Sequence, residues 1–248
     1  MKPLEQIHQL AKQLGLSNLA NHPFELFPNP ISNEDFLIRC LKDELAYRES
    51  KAKERRIKQA QIPTYKGFET FDTSFQKGVT NWQIRQLAAL NWIESMFNVI
   101  FIGPPGTGKT HLALAIGNKA LDSGYKVFFA SMDNLVHILK TQEISRCSAA
   151  RLKWIKECQL LIIDEVGYLP IGKVEANLFF QLISQLYENT SVVITSNKGF
   201  DGWAELLGDS VLAAALLDRL THRCQVLAFS GDGWRVTHRE EIFDPPSA

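Results

Sequence analysis

An eight-residue glycine-rich segment, GPPGTGKT from Gly103 to Thr110, constrains the fold of this chain more than any other feature. It lies between an apolar stretch, FNVIFI, that is typical of a buried strand, and a helical pattern over residues 110–122. In that context it predicts a phosphate-binding loop, because glycines let backbone N–H groups close around phosphates and the following helix adds its positive N-terminal dipole. The residues predicted to contact a nucleotide here are Gly103, Pro104, Pro105, Gly106, Thr107, Gly108, Lys109, Thr110 and His111.

Two carboxylates at the end of a second apolar segment predict that the nucleotide is hydrolysed. The segment LLIIDE ends in Asp164 and Glu165, 55 residues after Lys109. We expect Lys109 to reach the β- and γ-phosphates. Thr110 and Asp164 are expected to bind Mg²⁺, and Glu165 to polarise the attacking water. His111 is expected to be a helix-surface or packing residue rather than a catalytic base.

A third apolar segment, VVITSN, ends in Asn197, whose amide can orient the same water from the opposite side of the site. Thr195 and Ser196 are weaker candidates for that role. An amide at the end of a strand is commonplace on its own, so the prediction depends on the position of this segment after LLIIDE.

Two arginines near the C-terminus are candidates for contacts with the phosphates. Arg219 lies beside Asp218 in the Leu- and Ala-rich segment AALLDRLTHR. It either forms a surface ion pair or reaches the γ-phosphate of a neighbouring subunit as an arginine finger. Arg235 follows the segment QVLAFSGDGW and would contact the nucleotide of its own subunit. The residues alone leave these alternatives open.

The pattern of strands and helices predicts the fold class. The segments KVFFAS, CQLLIID and SVVITSN alternate with helical patterns, including those at 132–140 and 174–188. Because these strands are apolar throughout, they predict an α/β fold with a parallel sheet between helices on both of its faces. Before the first strand, VTNWQIRQLAALNWIESM predicts one amphipathic helix over residues 79–96.

The first sixty residues predict a separate helical domain. A helical pattern ends at Gly15, prolines interrupt the next stretch, and Ser32 is expected to cap a long helix. Pro63 then breaks the chain. We therefore predict a small all-α N-terminal domain over residues 1–62 and the α/β domain over residues 63–248.

Charge, cysteines and hydropathy narrow the classes of partner. Lys plus Arg and Asp plus Glu are both 27, so only a local cluster of charge can attract nucleic acid. The four cysteines have no metal-like spacing, and neither a leader nor a long apolar run is evident, which predicts a cytoplasmic protein with no membrane partner.

One local cluster of positive charge is a basic run that is either a solvated helix face or a contact with DNA phosphates. Its cations are Arg48, Lys51, Lys53, Arg55, Arg56 and Lys58.

Five motifs in this order resemble the AAA+ ATPases of the initiator and helicase-loader (DnaC-like) clade, and more narrowly the IstB-like ATPases of insertion sequences. They are GPPGTGKTHLA, LLIIDEVGYLP, VVITSNKGF, LLDRLTHRC and GDGWRV, and the resemblance covers roughly residues 32–240. It implies that Lys109 and Thr110 belong to Walker A and that Asp164 and Glu165 belong to Walker B. It also implies the roles of sensor 1, box VII arginine and sensor 2 for Asn197, Arg219 and Arg235. Only about fifty residues follow Asn197, so we expect a reduced or absent C-terminal lid.

The resemblance also points to a second DNA-contacting segment, LKTQEISRCSAARLKWIK, between the second and third strands. It is longer than a plain connection needs, and loader-clade proteins are similar in inserting a helix here that lines the DNA path. Its cations are Lys140, Arg146, Arg151, Lys153 and Lys156. Trp154 in the same segment is expected to be a core residue rather than a platform for base stacking.

The function implied by the resemblance is ATP-dependent regulation of DNA transposition. Such a protein oligomerises on duplex target DNA, with an arginine finger in trans, and delivers the DNA to a partner transposase encoded next to it. Hydrolysis of ATP, with Mg²⁺ as cofactor, drives disassembly. The alternative is a replicative helicase loader, and a metabolic P-loop kinase is disfavoured because it has no use for the basic segment between the strands.

Overall fold

A computed structural model of the chain describes residues 3–21, 32–73, 78–168, 170–231 and 233–234. It separates into two compact units, Met1–Arg55 and Arg56–Ala248. The predicted boundary at residue 62 falls just after a long helix that ends at Ala60, whereas the two units divide inside that helix. The assignment of domains 1–62 and 63–248 therefore stays a prediction.

The N-terminal unit is helical, as the periodicity predicts. Its helices are α1 (Pro3–Gln13), α2 (Ser17–Asn21) and the first part of α3 (Asn33–Ala60). Gly15 adopts a left-handed φ of +68° after α1, and the Ser32 hydroxyl caps α3 by accepting from the Asp35 amide at 3.2 Å. The prolines between α2 and α3 lie outside the described residues.

A buried carboxylate joins the helices of this unit. Glu44 of α3 is 4% exposed and accepts hydrogen bonds from the amides of Ser17 and Asn18, at 3.1 and 2.8 Å. Arg48 donates from Nε to the same carboxylate at 2.8 Å, and its Nη2 reaches the Gly15 carbonyl at 2.7 Å. Burial opposes ionisation of Glu44, but these hydrogen bonds outweigh it, so the pKa of Glu44 is lowered.

The second unit is built on a five-stranded sheet in which all neighbours are parallel. Its strands are β1 (Asn98–Ile102), β2 (Val127–Ser131), β3 (Leu160–Val166), β4 (Ser191–Ser196) and β5 (Cys224–Ala228). They lie in the order β2-β3-β4-β1-β5. The predicted α/β class with a parallel sheet is confirmed. The expected reduction of the lid concerns the chain after β5, most of which lies outside the described residues.

Helices cover both faces of this sheet. They are α4 (Asn81–Ala89), α5 (Asn91–Glu94), α6 (Lys109–Asp122), α7 (Met132–Thr141), α8 (Arg146–Glu157), α9 (Lys173–Leu186), α10 (Trp203–Leu207) and α11 (Ser210–Thr221), with 3₁₀ turns at Phe68–Thr70 and Phe200–Gly202. Successive residues of a strand point to opposite faces. Val99 and Phe101 accordingly pack with α4 to α6, whereas Ile100 packs with α7 to α11.

The helix expected over residues 79–96 is two helices, so that prediction is wrong in detail. Thr80 begins α4 with a capping box closed by Gln83. Leu90 is buried in a left-handed conformation, φ +61°, between α4 and α5. The Trp92 indole then donates to the Leu87 carbonyl at 3.0 Å, which supports the break.

Candidate nucleotide site

The carboxyl ends of β1, β3 and β4 meet at one edge of the sheet because the three strands are adjacent and parallel. A cleft of about 900 Å³ opens there, which is the place where open α/β sheets bind ligands. The predicted site residues that line it are Pro105, Gly106, Thr107, Gly108, Lys109, Thr110, His111, Glu165, Asn197 and the weaker candidates Thr195 and Ser196. The structure thus brings together the three polar strand ends that the sequence places far apart.

The loop between β1 and α6 has the backbone that a phosphate-binding loop requires. Gly108 directly precedes α6 with φ +93°, and Gly103 leaves β1 with φ +154°. A Cβ on Gly103 would collide with the Phe229 carbonyl oxygen, and one on Gly108 would lie 2.9 Å from the Phe71 ring. Thr107 is buried and closes the loop by donating to the Pro104 carbonyl at 2.8 Å. Only glycine fits these two positions without strain.

Lys109 places its ammonium inside this loop. The side chain is 8% exposed, and Nζ donates to the carbonyls of Gly103 and Pro104, both at 2.6 Å. Burial lowers the pKa of Lys109, and the nearby Asp164 carboxylate opposes that shift. A desolvated cation therefore lies at the N-terminus of α6, an arrangement that attracts phosphate.

Thr110 and Asp164 form a pair of oxygen ligands suited to Mg²⁺. The Thr110 hydroxyl donates to Asp164 Oδ1 at 2.9 Å, although the two residues lie on α6 and β3. Asp164 is 5% exposed, and its Oδ1 also accepts from the Thr195 hydroxyl at 2.5 Å. A carboxylate beside a hydroxyl at a phosphate loop is the hard oxygen set that Mg²⁺ prefers, so the residues present fit the ion.

Glu165 points into the cleft because β3 is irregular at this position. The pairing of β3 with β4 shifts between Ile163 and Val166, and Glu165 has φ +62°. A left-handed conformation costs a non-glycine residue roughly 1–2 kcal/mol, so its neighbours must hold it. Asn197 lies next to the same turn, since a Cβ on Gly167 would come within 3.2 Å of its Oδ1.

A segment before α4 also covers the phosphate loop, and the sequence did not predict its role. His111 lies at the start of α6, and its Nε2 is 3.0 Å from Thr70 Oγ1. The ring of His111 also packs edge-to-face against the Phe71 ring, with the two ring centroids 5.6 Å apart. Burial lowers the pKa of His111, which agrees with its predicted packing role. Trp234 closes the other side by donating its amide to the Gly106 carbonyl at 3.0 Å. Lys66, Asp72 and Tyr168 line the cleft as well.

Arg219 lies far from this cleft. It is on the last turn of α11, where the next residue, Leu220, accepts a hydrogen bond from the Asn98 side chain at the start of β1. Its guanidinium stacks 4.7 Å from the centroid of the Phe180 ring, and Nη1 donates to the Ala215 carbonyl at 2.8 Å. The side chain is half-buried by these contacts. Arg235, the predicted sensor 2, lies outside the described residues.

Five of the six cations of the basic run on α3 are exposed, and Arg48 and Lys51 among them pair with nearby carboxylates. Arg48 is engaged by Glu44 and Gly15, and Lys51 pairs with Glu54 at 2.9 Å. Arg56 is half-buried. Lys53, Arg55 and Lys58 are exposed, as are Arg48 and Lys51. Contact of this run with DNA stays a prediction.

The expected helix between β2 and β3 is α8. Its cations Arg146, Lys153 and Lys156 are exposed and Arg151 is half-buried, which together give α8 a basic outer side. On the preceding helix, Lys140 pairs with Glu175 at 2.7 Å.

The inner side of α8 packs through Ser148, Leu152 and Ile155. Trp154 donates its indole N–H to the Val127 carbonyl at 3.1 Å and is half-buried. This contact favours the packing role over base stacking.

Two negative findings apply to the described residues only. Among them, no cluster of three or more His, Cys, Asp or Glu side chains could hold a metal ion by itself. Within the same ranges, no helix is both long and apolar enough to span a membrane.

Comparisons with known proteins agree with this geometry. The chain is 38% identical over 242 residues to an IS21 insertion-sequence ATP-binding protein of Pseudomonas aeruginosa, covering 96% of this chain and 91% of that protein. A solved structure of the DnaC helicase loader matches with a TM-score of 0.54 and 23% identity, over 69% of this chain and 97% of that one. AMPPCP-bound DnaA from Aquifex aeolicus matches with a TM-score of 0.53 and 26% identity, over 66% of this chain and 50% of that one. The family model described as IstB-like ATP binding protein matches residues 9–242, so the chain belongs to the family of IstB-like ATP-binding proteins, with an AAA+ fold.

Proposed function

We propose that this protein hydrolyses ATP at the cleft and that Lys109, Thr110, Asp164 and Glu165 carry the reaction. One observation supports this most strongly: the Thr110 hydroxyl lies 2.9 Å from the Asp164 carboxylate, with Glu165 turned into the same cleft. A P-loop that only stored nucleotide would have no need of a second carboxylate held in a strained conformation beside the first.

Each residue has a distinct role in this proposal. Lys109 neutralises charge on the β- and γ-phosphates, helped by the amides of the loop and the N-terminus of α6. Thr110 and Asp164 would hold Mg²⁺, which supplies further neutralisation of the phosphates. Glu165 orients and polarises the attacking water, and Asn197, beside the same turn, positions that water from the other side.

Arg219 completes the site of a neighbouring subunit in this proposal. It lies at the amino end of β1, whereas the phosphate loop follows the carboxyl end of that five-residue strand. At about 3.3 Å per residue, the two ends are about 13 Å apart, which disfavours a contact within one subunit. Arg219 is not ion-paired with Asp218 among the described interactions; it stacks on Phe180 instead.

We propose further that the protein regulates DNA transposition by assembling on duplex DNA and delivering it to a transposase, with hydrolysis driving disassembly. The names of its relatives, ATP-binding proteins of insertion sequences, support the setting. The exposed cations of α3 and α8 offer phosphate contacts that need no base sequence. The likeness to the DnaC helicase loader keeps helicase loading as the second candidate.

Separating ATP binding from ATP turnover tests the enzymatic part. Glu165→Gln should bind Mg-ATP within a few-fold of wild type and lose turnover by about 10²-fold or more, because only the water loses its partner. Lys109→Ala should lose binding itself. Glu143→Gln, at an exposed position outside the cleft, is the matched control and should keep both. Wild-type turnover in Glu165→Gln would refute the assignment.

A second experiment separates the two candidate roles. The protein, loaded with ATP on duplex DNA, is mixed either with the transposase encoded beside its gene or with a replicative helicase. Stable recruitment of the transposase supports transposition, and recruitment of the helicase alone would support the loader.

A further inference from the structure

The irregularity in β3 is a β-bulge located at the two carboxylates. Ile163 pairs with Ile194 and Val166 pairs with Ser196, so two residues of β3, Asp164 and Glu165, stand opposite one residue of β4. That residue is Thr195. Bulges insert one extra residue and re-aim the side chains around it.

The bulge explains how adjacent residues serve one site. Side chains of a regular strand alternate between faces, so Asp164 and Glu165 would point in opposite directions. Here Asp164 is buried beside Thr110, whereas Glu165 is exposed and lines the cleft. Glu165 has a positive φ within this bulge, which takes the backbone out of the regular strand geometry.

Thr195 contacts both residues of the bulge through one hydroxyl. Its Oγ1 accepts from the Glu165 amide at 2.9 Å and donates to Asp164 Oδ1 at 2.5 Å. The side chain is 2% exposed, so water cannot substitute for either bond. The Glu165 amide, which the bulge removes from regular strand pairing, thereby gains a buried acceptor.

We propose that Thr195 is a positioning residue for ATP hydrolysis, which locks the bulge and so sets Glu165 and Asp164 at their working positions. This inference rests on the proposed hydrolysis and adds a residue that acts through its hydrogen bonds to Asp164 and Glu165. The β-hydroxyl is essential and the methyl group is not. Valine has nearly the same shape but can neither accept from the amide nor donate to the carboxylate.

The test compares Thr195→Val with Thr195→Ser in kcat, ATP affinity and exchange of the Glu165 amide. We expect Thr195→Val to lower kcat by about 10²-fold, the typical effect of a small displacement of a reacting group. Affinity for ATP without Mg²⁺ should stay within about threefold, because Lys109 and the loop are untouched. The Glu165 amide should exchange at least about tenfold faster. Thr195→Ser should restore kcat to within about threefold of wild type.

Two controls separate positioning from general loss of structure. Thr190→Val, just before the same strand, also removes a buried hydroxyl, which donates to the Cys158 carbonyl at 3.0 Å. It should lower Tm as much as Thr195→Val and change kcat by no more than about twofold. In a Glu165→Gln background, Thr195→Val should lower the residual kcat by no more than about twofold, because both substitutions remove the contribution of the Glu165 carboxylate.

The outcomes distinguish this inference from the function on which it rests. A wild-type protein without ATP turnover would refute the proposed function, whereas wild-type kcat in Thr195→Val would overturn only the role of Thr195. Full additivity with Glu165→Gln, or an unchanged Glu165 amide, would also overturn it. Should Thr195→Val not fold, wild type still provides a test: the Glu165 amide must exchange at least about tenfold more slowly than that of Tyr168, whose bond to the Glu165 carbonyl is 3.4 Å long. Equal rates would refute the lock.

Discussion

Replacing Glu44 by Gln should lower the free energy of unfolding of the N-terminal unit by about 2–3 kcal/mol. The carboxylate accepts from two amides and one guanidinium, and a hydrogen bond to a charged group contributes about 1.5–3 kcal/mol. Glutamine keeps one acceptor oxygen and turns an N–H group toward a donor, so at least one buried amide loses its partner. Because Arg48 is half-exposed, we discount its share for solvent screening.

Hydrogen exchange of the peptide around Ser17 and Asn18 measures this loss directly. A loss of 2–3 kcal/mol corresponds to exchange that is about 30- to 150-fold faster. Glu49→Gln, at an exposed position on the same helix, should change exchange by less than about threefold. An unchanged rate in Glu44→Gln would refute the view that this carboxylate joins the helices.

The contacts of Glu44 also determine how the stability of the N-terminal unit depends on pH. Because the pKa of Glu44 is lowered in the folded state, its contribution is fully present above the unfolded value of about 4.3 and is lost as pH falls through the folded value. The difference between wild type and Glu44→Gln in the free energy of unfolding should therefore be constant at neutral pH, begin to shrink as pH falls below the unfolded value, and vanish only below the lowered folded pKa.

Two further changes test the site and the DNA contact. Gly108→Ala should weaken ATP binding by about tenfold or more, because left-handed strain of roughly 1–2 kcal/mol adds to a close contact with the Phe71 ring. The control is Gly124→Ala, because Gly124 is also left-handed but has open space around it, and this variant should keep the wild-type affinity. Equal affinities in the two variants would contradict the role of the loop. Reversing the charges of Arg146, Lys153 and Lys156 should weaken binding of all duplexes alike and reduce the salt slope by about 3, whereas a change confined to one sequence would count against phosphate contacts by α8.

The sequence predicts the parts of the site that follow from strand order. Once Lys109, Asp164 and Asn197 are placed at the ends of parallel strands, their meeting at one edge is required by topology. The sequence does not indicate the break at Leu90, because a buried leucine in a left-handed conformation leaves the helical pattern of its neighbours intact.

Other features depend on register and tertiary contacts, which no local pattern contains. Thr195 gained a structural role only because β3 carries a bulge opposite it. Phe71 reaches the loop from a segment nearly forty residues upstream, and a signal for such a contact exists only in three dimensions. The contact of Lys140 with DNA stays a prediction, and the sequence contains no local signal for the pairing of Lys140 with Glu175 at 2.7 Å.

Mixing two inactive variants tests the central claim most directly, namely that assembly on DNA completes the ATP site through Arg219. Arg219→Ala and Glu165→Gln should each bind ATP and turn it over at least about 10²-fold more slowly than wild type. In an equal mixture on duplex DNA, half of the sites keep Glu165 and half of their neighbours keep Arg219. About a quarter of the head-to-tail interfaces are then intact, and the mixture should recover up to about a quarter of the wild-type rate. No recovery, despite demonstrated co-assembly of the two variants, would contradict the account and leave Arg219 as a packing residue on Phe180.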